Sequence, residues 1–148
     1  ARRRRPMTVR KAVAADAGVI AAADRAYMDC PWPEAQVSDE IADERVTFLV
    51  AEDGGALIGY VSAKTTLDEC EFGNIAVAEN YRRRGAASAL MTELFRAVAA
   101  AGARKVFLEV RSDNIAAVSL YERFGFEVLR VRSGYYNGKD ATVMIKNL

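Results

Sequence analysis

The chain has 148 residues, of which 51% are hydrophobic and 28% are charged. This length predicts a single domain around one core, and this share of hydrophobic residues excludes an intrinsically disordered chain. A formal net charge of +1 argues against a protein that binds polyanions nonspecifically, and no apolar run approaches the ~20 residues that a membrane span requires.

The chain begins with a basic run, in which residues 2–5 are all arginine, and proline follows instead of an apolar segment. This pattern does not predict a secretory signal peptide, because such a signal needs an apolar stretch after its basic residues. We interpret residues 1–7 as a basic tail or a cloning remnant, and residues 8–148 as one domain.

Hydrophobic periodicity, capping residues and turn signals predict seven strands and four helices. Asp16 is the expected N-cap of the first helix, and Pro31 and Pro33 end it. The expected order is strand 8–11, a helix after residue 16, helix 34–44, strands 46–52, 56–66 and 71–78, helix 86–101, strand 105–110, a helix capped within 112–114, and a closing hairpin of strands 128–131 and 141–145. This order predicts a mixed α/β domain with a strand–helix–strand crossover in its middle.

The chain contains two cysteines, Cys30 and Cys70, and no histidine. The cysteines lack the spacing of a metal site, so we expect two free thiols in a cytoplasmic protein that uses no metal; a disulfide between them is the alternative. Because histidine is the commonest general base, its absence leaves Glu, Asp, Tyr, Cys or Lys for any acid–base chemistry.

The most informative segment joins a predicted strand to a predicted helix through a basic turn. Residues 75–78 are apolar, Arg82, Arg83 and Arg84 follow, and Gly85 precedes a helix rich in Ala, Leu and Met. Such a turn presents unpaired backbone N–H groups and the positive end of the helix dipole at one point, which favours a phosphate. The arginines strengthen the preference for an anion. A solvated basic helix start and a contact with nucleic acid are the alternatives.

The turn 82–87 is similar to the pyrophosphate-binding turn of the GNAT-type N-acetyltransferases, Gln/Arg-x-x-Gly-x-Gly/Ala, with Ala87 in place of the commoner second glycine. Further motifs stand in order along nearly the whole chain and resemble the ribosomal-protein-alanine N-acetyltransferases of that family. They are Pro31-Trp32, Leu67-Asp68-Glu69, Asn74-Ile75-Ala76-Val77, Leu108-Glu109-Val110-Arg111, Asn114, Leu120-Tyr121-Glu122 and Tyr135-Tyr136. Those enzymes acetylate the N-terminal amine of a small-subunit ribosomal protein. The resemblance implies an α/β (α+β) fold, with a central mixed, mostly antiparallel sheet of about seven strands flanked by about four helices.

The resemblance also implies that acetyl-CoA is the cosubstrate, and it assigns the binding site to a strand, the basic turn and two helix starts. The assigned residues are Ile75, Ala76, Val77, Arg83, Arg84, Gly85, Ala86, Ala87, Ser88 and Asn114. The strand residues would make their contacts through backbone groups, so an ordinary place in the core is compatible with that role. Asn114 is also explained as a plain helix cap.

By the same resemblance, Glu109 is the general base, acting directly or through water, and Tyr121 is the general acid that protonates the leaving thiolate. Glu109 lies between Leu108 and Val110 in a strand whose two faces we expect to be largely buried. Burial of a carboxyl raises its pKa toward a useful value for a base. The alternatives are a surface glutamate paired with Lys or Arg, and a core tyrosine.

An N-terminal α-amine suits a single weak base, because its pKa of ~7.7–8.0 leaves roughly a tenth of it neutral at pH 7, against well under a thousandth of a lysine amine. Asp68 and Glu69, with Glu71, directly precede the predicted acetyl-CoA strand. We expect these carboxylates to attract a basic N-terminal peptide. A solvated acidic loop is the alternative.

Trp32, Tyr135 and Tyr136 are expected to line the peptide groove, although an aromatic pair in a hairpin is also a common packing device. The favoured activity is direct Nα-acetylation of a protein by a monomer or weak dimer, with no membrane or nucleic-acid partner. The rivals are a GNAT enzyme that acetylates a small amine, an antibiotic or a lysine side chain, and a noncatalytic module that binds CoA or RNA through residues 2–5 and the basic turn.

Overall fold

In the computed structural model, residues 7–27, 31–136 and 138–148 are described. Within them lie seven strands and four helices. The strands are β1 (Thr8–Lys11), β2 (Val46–Asp53), β3 (Ala56–Thr66), β4 (Glu69–Val77), β5 (Lys105–Arg111), β6 (Glu127–Tyr136) and β7 (Lys139–Asn147). The helices are α1 (Ala17–Tyr27), α2 (Glu34–Ala42), α3 (Ala86–Ala100) and α4 (Ile115–Arg123). None of these described helices is both long enough and apolar enough to cross a membrane.

The strands form one sheet in the order β1-β2-β3-β4-β5-β7-β6. Every neighbouring pair is antiparallel except β4 and β5, which are parallel and are connected by the α3 crossover. β4 pairs with β3 from Glu69 to Val77. With β5, however, it pairs at only three successive positions, from Glu69 to Glu71. The sheet is therefore mixed and mostly antiparallel, as expected, and its two parallel strands part after Glu71.

Two hydrophobic clusters hold the helices on the sheet. The first lies beneath α3, where Leu90, Leu94 and Val98 are fully buried, and this stripe at four-residue spacing confirms the predicted sheet-facing side of the helix. The second joins α1 and α2 to β2 and β3 through residues such as Ile20 and Val37. It contains no described residue of β5, β6 or β7, so the apolar packing of α1 and α2 covers only the first half of the sheet.

Two predicted helix ends are wrong for local reasons. Asp16 is not an N-cap, because it lies inside a 3-10 turn that leads into α1, and its Oδ2 accepts a hydrogen bond from the Val13 N–H group at 2.7 Å. The second helix ends at Ala42 instead of residue 44. There the Asp43 carboxylate accepts the Arg45 N–H group, a local bond that competes with helix continuation.

The closing hairpin is longer than predicted, whereas the other strands match their predicted ranges to within two residues at each end. β6 and β7 pair with each other as far as Tyr136 and Lys139. The sequence predicts too short a β6 because this edge strand mixes exposed apolar residues with Arg130 and Arg132. The arginines interrupt the apolar pattern that is typical of a half-buried strand.

A partly buried ion pair fixes the start of α1 and makes stability depend on pH. Arg10 donates hydrogen bonds of 2.8 and 2.9 Å to Asp16, and these hold the pKa of Asp16 below its ordinary value. A depressed pKa means that the stabilisation is present above the unfolded-state value and is lost as the pH falls through the folded-state value.

We expect Asp16→Asn to lower the free energy of unfolding by about 1–2 kcal/mol at pH 7, because it weakens charge-assisted hydrogen bonds. The difference from the unsubstituted protein should shrink below about pH 4, the range in which Asp16 itself becomes protonated. Urea denaturation at pH 7, 5 and 3 measures this. A difference that stays constant over that range would contradict the role of the Asp16 charge.

Candidate active site

The first component of the site is the edge of β4 that β5 leaves open. The Ala78 N–H group donates to the Ile58 carbonyl at 2.8 Å. Because residue pairs in an antiparallel ladder alternate between hydrogen-bonded and non-hydrogen-bonded, the N–H groups of Ile75 and Val77 point away from β3. The pairing with β5 ends at Glu71, so these two N–H groups lie on an edge without a neighbouring strand.

A bulge at Gly73 produces this edge. The register between β3 and β4 shifts between Ser62, which pairs with Asn74, and Ala63, which pairs with Phe72. Gly73 is the extra residue, and a Cβ atom built on it would lie 2.5 Å from the Ser62 Oγ atom. Glycine is therefore required where β4 bends away from β5.

The second component is the basic turn between β4 and α3. Arg83 and Gly85 have positive φ angles of 64° and 84°, and Gly85 is the N-cap of α3, without a side chain to cap it. The backbone carbonyl of Gly85 accepts from the N–H group of Ala89. The N–H groups of residues 86–88 lie in the first turn, where a helix supplies no acceptor of its own. They are available to an anion at the positive end of the helix dipole.

These components meet in a cavity of about 710 Å³, which we call the β4–α4 cleft. Its lining residues are Ile75, Ala76, Val77, Tyr81, Arg82, Arg83, Gly85, Ala86, Ala87, Ser88, Ala116, Leu120, Arg123 and Phe124. Apolar side chains of β4 and α4 form one part of the wall, and the arginines and first-turn N–H groups form the other. This composition fits an elongated ligand with an apolar arm and an anionic end.

Eight of the ten residues assigned to cofactor binding line the cleft, and Arg84 and Asn114 do not. The Arg84 guanidinium lies over the Tyr81 ring, 5.5 Å from its centre. Asn114 is the N-cap of α4, and its Oδ1 accepts the N–H group of Ala117 at 3.2 Å. The sequence interpretation did not assign the cleft-lining side of α4. The sequence does carry a signal for it, because Ala116, Leu120 and Phe124 recur at four-residue spacing and share one face of the helix.

The expectation that both faces of β5 are buried is wrong. Val106 and Leu108 are buried, whereas Glu109 is exposed on the opposite face, where its Oε1 accepts a hydrogen bond of 2.7 Å from Arg132 Nη1. The apolar cluster formed with α1 and α2 does not extend to this part of the sheet. Burial therefore does not support the role of Glu109 as a base. Its pairing with Arg132 matches the alternative expectation of a surface glutamate paired with Lys or Arg.

Glu109 lines a second concavity, on the sheet face opposite α3, with a volume of about 1010 Å³. We call it the sheet-face groove. Its lining residues are Arg45, Lys64, Thr66, Leu67, Asp68, Glu69, Cys70, Glu71, Phe72, Phe107, Leu108, Glu109, Arg130 and Val143. The structure thus brings Asp68, Glu69 and Glu71, the acidic residues singled out in the sequence, into one groove with Glu109.

Tyr121 lies half-buried between Phe72 and Phe126, with ring centres at 5.5 and 5.9 Å. Burial raises the pKa of Tyr121 above its ordinary value. Its hydroxyl makes no hydrogen bond with any residue that the structure describes. Tyr121 therefore combines the packing of a core aromatic residue with a hydroxyl that stays protonated and free to donate.

The aromatic residues expected in a peptide groove are only partly described. Trp32 is half-buried and packs against the second cluster, beside α1 and α2. The side chains of Tyr135 and Tyr136 lie outside the described part of the chain, as do Cys30 and residues 2–5. Cys70 is a buried free cysteine.

Comparison with known proteins agrees with this geometry. A family model for the acetyltransferase (GNAT) family matches residues 19–126. The chain is 38% identical to the N-alpha-acetyltransferase RimI of Mycobacterium tuberculosis over 122 residues, which cover 78% of this chain and 75% of that protein. It is 37% identical to an uncharacterized protein of Mycobacterium leprae, of which the match spans only 33%.

Comparison with solved structures indicates the same family. A crystal structure of the ribosomal-protein-S18-alanine N-acetyltransferase from Escherichia coli superposes with a TM-score of 0.86 at 28% identity, over 96% of this chain and 94% of that one. The family model covers well over half of the 148 residues, including the open edge of β4, the basic turn and all of α4. This chain therefore belongs to the acetyltransferase (GNAT) family.

Proposed function

We propose that this acetyltransferase transfers the acetyl group of acetyl-CoA to the N-terminal α-amine of a protein, with the N-terminal alanine of a small-subunit ribosomal protein as the leading acceptor. The observation that carries the proposal is the separation of β4 from β5, with a phosphate-compatible cleft on one side of the sheet and, on the other, the sheet-face groove, which is lined by four carboxylates and three basic side chains. The similarity to the mycobacterial and Escherichia coli enzymes supports the choice of acceptor.

The β4–α4 cleft would hold acetyl-CoA. The N–H groups of residues 86–88 and the charge of Arg83 suit the pyrophosphate, and the Arg84 and Arg82 charges add to the same potential. The pantetheine arm, which carries amide groups, suits the edge of residues 75–77 that no strand covers, because an extended ligand can pair with it as a strand would. Asn114 would contribute through its Nδ2 group, since its Oδ1 is engaged as a cap.

The reaction would be a direct transfer. The amine nitrogen attacks the thioester carbonyl carbon, a C–N bond forms and the C–S bond breaks. Glu109, directly or through water, would accept the proton that the amine loses, and Tyr121 would give its proton to the departing thiolate. Cys70 is an unsuitable nucleophile for an acyl-enzyme route, because it is buried and burial raises the pKa of its thiol.

The exposure of Glu109 is compatible with this role only for an amine that deprotonates easily. An α-amine with a pKa of ~7.7–8.0 needs little help from its base at neutral pH, whereas a lysine amine near ~10.4 needs far more. Arg132 would hold the Glu109 carboxylate in place through their hydrogen bond. The Glu109 geometry thus supports an α-amine over a lysine side chain.

A peptide panel tests the function directly. Acetyl-CoA would be offered with a peptide that has a free N-terminal alanine followed by basic residues, the same peptide with a blocked N-terminus, and a peptide whose only amine is on a lysine. We expect transfer to the free α-amine alone, measured by mass spectrometry. In Glu109→Gln, kcat should fall by about a hundredfold, the low end of the range for a lost general base, because an α-amine is already partly neutral at pH 7, while the affinity for acetyl-CoA should hold.

Glu127→Gln is the matched control, since it removes an exposed carboxylate of the edge strand β6 at a residue that does not line the groove. It should leave kcat unchanged. Transfer to lysine, or to no peptide despite tight acetyl-CoA binding, would move the function to another acceptor while leaving the family unchanged. Binding of CoA without any transfer would favour a noncatalytic module.

The sheet-face groove makes a separate prediction about the acceptor sequence. Asp68 and Glu69 are exposed and line this groove together with Glu109. Asp68→Lys/Glu69→Lys should raise the KM for a basic acceptor peptide by about tenfold at low ionic strength and hardly change the KM for a neutral one, because the attraction is electrostatic. Steady-state kinetics at two salt concentrations measure the effect.

Asp53→Lys/Glu93→Lys is the control, because it makes the same change in net charge at residues that do not line the groove. The control should affect the two peptides equally and weakly. Equal effects of Asp68→Lys/Glu69→Lys on the basic and the neutral peptide would show that these residues belong to a solvated acidic loop.

A further inference from the structure

Behind the open edge of β4 runs a chain of three polar side chains that the reaction above does not use. Asp24 of α1 and Tyr60 of β3 are each 1% exposed, and the Tyr60 hydroxyl donates a hydrogen bond to Asp24 Oδ1. Asn74 of β4 completes the chain, because its Nδ2 donates to Tyr60 Oη at 3.0 Å. A buried carboxylate is costly unless it is hydrogen-bonded. Tyr60 supplies a hydrogen bond to Asp24, and the question is what this buried polar series does for the site.

The direction of each hydrogen bond is fixed by Tyr60. Burial, together with the hydrogen bond to Asp24, raises the pKa of Tyr60 far above its ordinary value. Tyr60 therefore keeps its proton and donates it in the hydrogen bond to Asp24, so its oxygen has only a lone pair left to accept from Asn74. This sets the orientation of the Asn74 carboxamide, with Nδ2 toward Tyr60 and Oδ1 turned toward the backbone of β4.

The Asn74 Oδ1 atom accepts the Ile75 N–H group at 2.9 Å. That group is one of the two N–H groups that point to the edge left open by β5, and Val77 carries the other. The series of hydrogen bonds from Asp24 to Asn74 thus occupies the Ile75 N–H group. This group is one of the two outward donors and lies at the end of the open edge next to the bulge.

We propose that Asp24, Tyr60 and Asn74 are positioning residues that set the register of the acetyl-CoA arm on β4, by keeping the Ile75 N–H group occupied and leaving the Val77 N–H group as the outward donor. This inference rests on the proposed use of acetyl-CoA. Two equivalent donors two residues apart, ~6.8 Å along a strand, would offer an extended arm two binding registers. Only one of them brings the thioester to the correct depth for the acceptor amine.

Asn74→Ala tests the proposal, because it frees the Ile75 N–H group without removing a residue from the core. An arm that also binds in a second, unproductive register lowers kcat and the KM for acetyl-CoA together, and kcat/KM stays within about twofold. A second register of equal affinity halves both constants, and one favoured by as much as a single hydrogen bond decreases them by up to about tenfold. Tyr60→Phe should act in the same direction, and the double variant should show no further loss of kcat, because the residues act as one chain.

Ser62→Ala is the matched control. Ser62 is buried, pairs with Asn74 across the strands, and its hydroxyl has no hydrogen-bond partner among the described residues. It should leave both constants unchanged. A raised KM with a lowered kcat/KM in Asn74→Ala, or no change in kcat, would overturn the proposal.

The outcome does not depend on finding the acceptor. If the unsubstituted protein acetylates no peptide, the proposed function fails, and calorimetry with acetyl-CoA alone then decides the inference. Asn74→Ala should bind acetyl-CoA about two- to tenfold more tightly than the unsubstituted protein, because a second register has opened. Equal or weaker binding would refute the role of Asn74.

Discussion

β4 and β5 pair for three residues and then separate, and the rest of the molecule is arranged around that separation. Backbone groups without a partner are costly in a protein interior, so a sheet opens at its centre only where something else can pair with them. Here the bulge at Gly73 turns β4 away, and the edge of residues 75–77 is left to face a cleft. The opening connects the face of the sheet that α3 covers to the opposite face, where the sheet-face groove lies.

The separation is compatible with a stable fold because the helices are anchored elsewhere. α3 buries its apolar stripe against the sheet on one side, and α1 and α2 form their own cluster with β2 and β3 on the other. Neither cluster needs the missing pairs between β4 and β5. The N–H groups in the first turn of α3 and the outward N–H group of Val77 on β4 are therefore available to a ligand, and the proposed acetyl-CoA site uses both.

Much of the fold could be predicted from the sequence, because local signals determine most of it. The stripe of Leu90, Leu94 and Val98 predicted which side of α3 faces the sheet. The basic turn predicted the position of the phosphate-compatible end of the cleft. The burial of Glu109 was predicted wrongly, since alternation along a strand does not reveal which face a helix covers. The hydrogen bonds that join Asp24, Tyr60 and Asn74 could not be predicted from the sequence either. These residues are separated by 36 and 14 positions along the chain and come together only in the folded protein.

A crystal structure of the protein with acetyl-CoA tests the central claim most directly. The account predicts the pyrophosphate against the N–H groups of residues 86–88, the pantetheine arm along the open edge of β4, and the acetyl group in the gap between β4 and β5 on the way to Glu109. Binding at another surface, or a gap that closes with β4 and β5 paired beyond Glu71, would contradict the claim that the separation of these strands is the active site.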